Sequence, residues 1–293
     1  MNPLALALVV LSALLHAAWN MLLKRAGDRV AFVWWYLLVP LILFSPMAVL
    51  PLEANKAGLP PASLGCGLAS GVLQALCLLA VARAYQGGDL SVVYPLSRGV
   101  GQVLIVLLGI GVLKERLSVL GGTGLALVFF GVYVVFLPAL SGAALLRPFA
   151  RLREASSLFA LGAGLTIACY HVLDRVGMRQ ASPYQYILLL FATDFVAYTG
   201  FLAIRRRWDA VWAEWRRNKL AIAVAGSLSL ISYLLVLHAL KMERVAYVGP
   251  ARNLGIVFSV ILGAALLREK HGAIRVVGSA LIVVGLTLAA VAG

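Results

Sequence analysis

The sequence predicts an all-α integral membrane protein of ten transmembrane helices, built as two inverted five-helix repeats. Three observations carry that reading. The chain is 62% hydrophobic and only 12% charged, with a mean hydropathy of +0.97, which excludes a water-soluble domain. Apolar runs of about 18 residues or more, enough to cross a hydrocarbon core of ~30 Å, recur along its whole length. The second half of the chain also repeats the first.

Taken in order, the first five spans are 3–23, 31–50, 62–83, 90–113 and 118–137, and the second five are 157–174, 184–204, 219–240, 246–267 and 273–291. The opening run resembles a signal peptide in hydropathy. Its basic residues, Lys24 and Arg25, follow the apolar stretch instead of preceding it, so it reads as a retained first span. Only 138–156 and 205–218 are longer than a turn. The latter, with Lys219, reads RRRWDAVWAEWRRNK. Alternating basic and tryptophan residues describe a connection at the membrane surface better than a nucleic-acid patch, and no nucleic-acid partner is expected. The net charge of +14 is spread over loop ends in the same way. Cys66, Cys77 and Cys169 lie in or beside spans. Their odd number argues against a disulfide framework or a metal site, and they read as small packing residues.

Basic residues set the expected orientation. The loops after spans 1, 3, 5, 7 and 9 carry sixteen Lys and Arg, and the opposite set carries seven. Both termini are therefore expected outside the cytoplasm, in a multi-pass membrane protein.

The repeat is specific. VVYPLSRGVGQVLIVLLGIGVLKERLS, starting at Val92, superposes on YVGPARNLGIVFSVILGAALLREKHG with a shift of 154 positions. Arg98 falls on Arg252, Gly101 on Gly255, Gly109 on Gly263 and Glu115 on Glu269, then Gly124 on Gly278 and Gly131 on Gly285. WNMLLKRAG and CYHVLDRVG align at a shift of 150, with Arg25 on Arg175 and Gly27 on Gly177. Five is odd, so the second half enters the membrane from the other side. Inverted repeats of this kind are characteristic of secondary transporters, with the substrate held near the midplane between the halves.

Ten spans, two homologous halves and the G-x7-G…E pattern at Gly101, Gly109 and Glu115, and again at Gly255, Gly263 and Glu269, resemble the drug/metabolite transporter superfamily, in particular its EamA-type members. The resemblance covers essentially the whole chain and is nearest to bacterial aromatic amino-acid exporters of the YddG type. It implies repeats at 1–141 and 157–293 joined by 142–156. It also implies a central cavity lined mainly by spans 1, 3, 4, 6, 8 and 9. Nucleotide-sugar and triose-phosphate carriers of the superfamily are usually drawn with cytoplasm- or stroma-facing termini, and the charge count here disagrees with that arrangement.

An arginine inside an apolar span costs from about 2.5 to over 10 kcal/mol, so Arg98 and Arg252 need an explanation. One is a substrate carboxylate or phosphate held by a guanidinium fork. The other is structural: snorkelling, or helix-end carbonyls freed beside Pro95 and Pro250. Asp194, mid-span, is a candidate for proton coupling or for pairing with a substrate amine or an arginine. Polar and aromatic stripes complete the set: Ser12, His16, Trp19 and Asn20 in span 1, Thr166, Tyr170, His171 and Asp174 in span 6, Gln74 in span 3, Tyr94 in span 4, and Ser229 with Tyr233 in span 8. Trp19, Tyr94 and Tyr170 are read as apolar walls and the others as polar anchors, against the plainer reading of interhelical hydrogen bonds. Gly124, Gly131, Gly278 and Gly285 are read as sites of close helix approach, and Glu115 and Glu269 as interfacial ion pairs.

The expected function is export of small amphipathic metabolites, with amino acids of aromatic or hydrophobic side chain as the best fit. No ATP-binding loop, cofactor site, catalytic set or metal site is legible, so the driving force is expected from gradients. A multidrug or nucleotide-sugar-like carrier is the alternative; two arginines suit a carboxylate better than a strongly phosphate-binding site. An intramembrane lipid-modifying enzyme is the remote rival, with YHVLDR its nearest His/Asp constellation and no H-E-x-x-H or G-x-S-x-G. A non-transporting assembly subunit is a further one. Two fused halves make a monomer sufficient and leave a dimer open.

Overall fold

The computed structural model describes residues 1–50, 56, 58–88, 90–137, 139, 141–142, 145–146, 150, 152–205, 208–267 and 272–292. Glu269 lies outside them, as do six of the basic residues counted above: Arg147, Arg151, Arg206, Arg207, Arg268 and Lys270. The elements are α1 (Pro3–Lys24), α2 (Arg29–Phe44), α3 (Pro46–Val49), α4 (Pro61–Gly87) and α5 (Leu90–Tyr94), then a π turn (Pro95–Gly99), α6 (Val100–Gly111) and α7 (Val119–Val135). The second half supplies α8 (Ala155–Gly177), α9 (Pro183–Arg205), α10 (Trp208–Met242), α11 (Val245–Ala251), α12 (Leu254–Leu267) and α13 (Ala273–Ala292). Among the described residues, nine stretches are long and apolar enough to cross a membrane, and α7 is a shorter apolar helix of 17 residues. At ~1.5 Å per residue α7 still runs about 25 Å.

Packing follows the repeat. The pair α1 with α10 is mirrored by α8 with α4, the pair α2 with α10 by α9 with α4, and α6 with α8 by α12 with α1. Between the halves, α7 and α13 run against each other. A Cβ on Gly124 would stand 2.5 Å from the Gly285 carbonyl oxygen, and one on Gly131 would stand 2.7 Å from that of Gly278. The two backbones therefore touch where small residues permit it.

Two crossings are interrupted at the paired arginines. In the fourth, residues 95–99 take the wider π turn. In the ninth, Pro250 cannot donate, and the chain tightens: Arg252 N–H reaches Gly249 O at 3.2 Å and Asn253 N–H reaches Pro250 O at 3.0 Å. The repeat thus places its paired arginines on irregular backbone of opposite kinds.

Polar groups lock the end that carries both termini. The Met1 ammonium donates to Ala290 O at 2.8 Å, and the Ser118 hydroxyl to Ala292 O at 3.0 Å. Glu115 does more than the ion pairing expected of it. Its carboxylate accepts from Val245 N at 2.9 Å and Ala246 N at 3.0 Å, capping α11 across the halves, while Arg175 Nε stands 3.8 Å away. Glu243 accepts from Asn2 N at 2.8 Å, Arg244 N at 2.9 Å and Arg244 Nε at 3.3 Å. Burial alone pushes its carboxyl up, but those two N–H groups and the Arg244 guanidinium outweigh it and hold the group below its ordinary 4.5. A depressed carboxyl contributes stability that is present above the ordinary value and lost as pH falls through the folded one. The thermal midpoint of purified protein is expected to fall on acidification below about pH 4.5, and Glu243→Gln is expected to lower the midpoint at neutral pH while flattening that acid limb. An acid limb unchanged by the substitution would exclude the linkage.

Candidate functional site

A cavity of about 120 Å³ lies between the halves. It is a small-molecule volume, on the scale of the ~150 Å³ apolar cavity known to admit benzene. The first half contributes His16 and Trp19 from α1, Tyr36 and Leu37 from α2, Gln74, Cys77 and Leu78 from α4, and Arg98 from the π turn. The second contributes Tyr170 from α8, Phe191 and Asp194 from α9, Ser229, Ser232 and Tyr233 from α10, and Arg252 from the turn after α11.

The candidates His16, Trp19, Gln74, Arg98, Tyr170, Asp194, Tyr233 and Arg252 are therefore brought together on one cavity. Asn20, Tyr94 and His171 are not in its lining. Asn20 donates to its own helix at His16 O, 2.7 Å. Tyr94 stacks on Phe136 with ring centroids 3.8 Å apart. Sequence reasoning missed Tyr36, Cys77 and Phe191. Phe191 was within reach, since it sits three residues before Asp194 on one helix face. Tyr36 sits in a nearly uniform apolar run with no polar stripe to flag it.

The walls are aromatic. Trp19 stacks on Tyr36 at 5.4 Å and meets the His16 ring edge-on at 5.0 Å. Tyr170 stacks on His171 at 4.5 Å.

The paired arginines are not equivalent. Arg252 is held: its Nη1 lies 3.0 Å from His171 Nε2, and its guanidinium sits 5.1 Å above the Tyr233 ring. His171 Nδ1 is 2.8 Å from Ile167 O, a carbonyl that can only accept. The imidazole is consequently neutral with its proton on Nδ1, leaving Nε2 to receive the Arg252 N–H. Tyr233 is fixed in turn by its hydroxyl, which donates to Asp174; Tyr186 donates to the other oxygen of that fully buried carboxylate at 3.0 Å. Asp174 thus positions Arg252 through Tyr233, without lining the cavity itself. Arg98 has no hydrogen-bond or ion-pair partner among the described residues, and its guanidinium belongs to the lining.

Asp194 is 6% exposed, and its Oδ1 has no hydrogen-bond partner among the described residues; the Trp19 indole N–H is likewise buried without one. Buried polar groups are nearly always satisfied, and here a cation, an acceptor and a donor at the cavity edge have no partner among the described residues. Asp194 is not paired with Arg252. Among the described residues, no group of three or more His, Cys, Asp or Glu is placed to hold a metal ion.

Crossing helices, an inverted repeat and a cavity shared between the halves describe a helical membrane protein. The profile of the EamA-like transporter family matches residues 155–291, so the second half of the chain carries an EamA-like domain. That family is one of membrane transporters of small molecules, not of enzymes. A solved crystal structure is similar over 99% of this chain and 99% of its own, with a TM-score of 0.70 and 14% sequence identity, a likeness of fold. No curated protein matches the sequence.

Proposed function

We propose that the protein is a secondary transporter exporting amino acids with aromatic or hydrophobic side chains across the bacterial inner membrane, its two halves rocking about the cavity. The observation that carries this reading is the composition of the lining: an arginine and an aspartate oxygen with no partner among the described residues, and a Trp–Tyr–Phe wall, around one cavity. Arg98 takes the carboxylate with its planar fork, Arg252 presents a second positive face from the other half, and the rings of Trp19, Tyr36 and Phe191 cover the side chain. Two arginines neutralise a carboxylate readily; a nucleotide-sugar or multidrug cargo is the alternative that the same cavity supports less well. Both termini are taken to lie outside the cytoplasm, and a monomer suffices.

The test is efflux from liposomes holding purified protein and a mixture of the twenty amino acids, read by mass spectrometry against protein-free liposomes. Selective loss of the aromatic and hydrophobic members is expected. Retention of all twenty by folded protein would overturn the amino-acid assignment.

Asp194 is the proposed proton carrier, an acid at cavity depth with an open acceptor. Asp194→Asn is expected to abolish accumulation driven by a pH gradient while leaving counterflow of substrate at zero gradient. Undiminished pH-driven accumulation by the variant would remove Asp194 from coupling.

A further inference from the structure

We propose that the surface made by the first ten residues of α10 and the turn 24–29 is a docking site for the headgroups of anionic phospholipids. The inference is independent of what the cavity carries.

As one straight helix of 35 residues, α10 would run about 52 Å, well past a ~30 Å core. It breaks at Asn218, whose φ of −132° and ψ of 24° are not helical. Residues 208–217 therefore form a separate helical piece at the membrane boundary. Its inner face is fixed. Val211 O accepts from the Trp35 indole at 2.7 Å, Trp215 stacks on Trp35 at 4.5 Å, and Glu214 accepts from Gly27 N at 3.3 Å, Asp28 N at 3.0 Å and Asn218 Nδ2 at 2.6 Å.

The outer face has a different character. Trp208, Trp212 and Arg216 recur every fourth residue along one stripe, with Trp208 38% and Trp212 54% exposed. Arg216, Arg217 and Lys219 are exposed, and so are Arg25 and Arg29 of the adjoining turn. Arg217 joins the two sets, because a Cβ on Gly27 would stand 3.3 Å from its Nη1. Against these cations the patch sets Asp209, turned outward, and Asp28, whose carboxylate caps α2 by accepting from Val30 N and Ala31 N, while Glu214 is buried and engaged.

Tryptophans at headgroup depth beside a cluster of four or more basic residues are complementary to an anionic headgroup on the same leaflet. A headgroup bridging Arg217 and the turn would also touch both halves, reinforcing the junction that Glu214 already makes.

The test uses the full-length protein purified in mixed micelles with phosphatidylglycerol and phosphatidylcholine, with retained lipid counted by native mass spectrometry. Preferential retention of phosphatidylglycerol is expected. The exposed pair Arg216→Gln and Arg217→Gln should weaken that preference on the order of tenfold without changing the thermal midpoint in phosphatidylcholine alone. Equal retention of the two lipids by the wild type, or an undiminished preference in the double variant, would overturn the proposal. So would displacement of the lipid by millimolar inorganic phosphate, since chains seated beneath Trp208 and Trp212 should hold a headgroup that a free ion cannot dislodge.

Discussion

Arg98→Ala should weaken substrate binding by at least about 30-fold, because removing one partner of a buried, hydrogen-bonded charge pair costs about 2–5 kcal/mol. The variant should still fold, since Arg98 has no hydrogen-bond or ion-pair partner to lose among the described residues. Arg98→Lys should recover part of the binding, as a point charge replaces a fork. Arg252→Ala should behave differently. It strips His171 Nε2 of its donor and uncovers the Tyr233 ring, so a lower thermal midpoint should accompany any loss of affinity. Scintillation-proximity binding with thermal unfolding on the same preparations separates the two. Arg98→Ala protein that binds within twofold of wild type would take Arg98 out of the substrate site.

The second large effect belongs to the seam between the halves. Gly124→Val puts a branched side chain where even a Cβ would stand 2.5 Å from Gly285 O and 2.6 Å from Ala289 N. Backbone cannot move aside as a flexible side chain can. The destabilisation should therefore reach or exceed the upper end of the ~1–3 kcal/mol usual for overpacking. Gly122→Val, on the same helix with nothing within 4 Å of a Cβ, is the matched control. Thermal midpoints that shift equally in the two variants would show that α7 and α13 do not meet as described.

Much of this architecture was legible in the sequence because membrane burial leaves so few options. Apolar length marks the crossings, and the pairing of Arg98 with Arg252 marks the inverted halves. The interruptions were signalled too, by Pro95 and Pro250 beside them. What stayed hidden depends on partners far apart in the chain. Asp174 and Tyr233 are 59 positions apart, and no spacing rule joins them, so a carboxylate that orients an arginine passed for one more member of a polar stripe. Glu115 passed for an ion pair because its neighbours in sequence are basic, whereas its chief partners are backbone N–H groups of the other half. Cys77 packs in the buried core as expected and edges the cavity as well. Span 7 was not among those expected to line the cavity, yet α9 supplies Asp194 and Phe191 to it.

The unequal backbone at the two arginines, a wide turn at 95–99 and a tightened one at 249–253, bears on rectification. A carrier with perfectly interchangeable halves would offer its cargo the same half-saturation concentration on either side of the membrane. Here one guanidinium rides on loosened backbone and is unclaimed, while its mate is pinned by an imidazole and a ring, so exchanging the roles of the halves does not return the same site. The two faces should accordingly saturate at different cargo concentrations, even though the final gradient is fixed by the thermodynamic driving force alone.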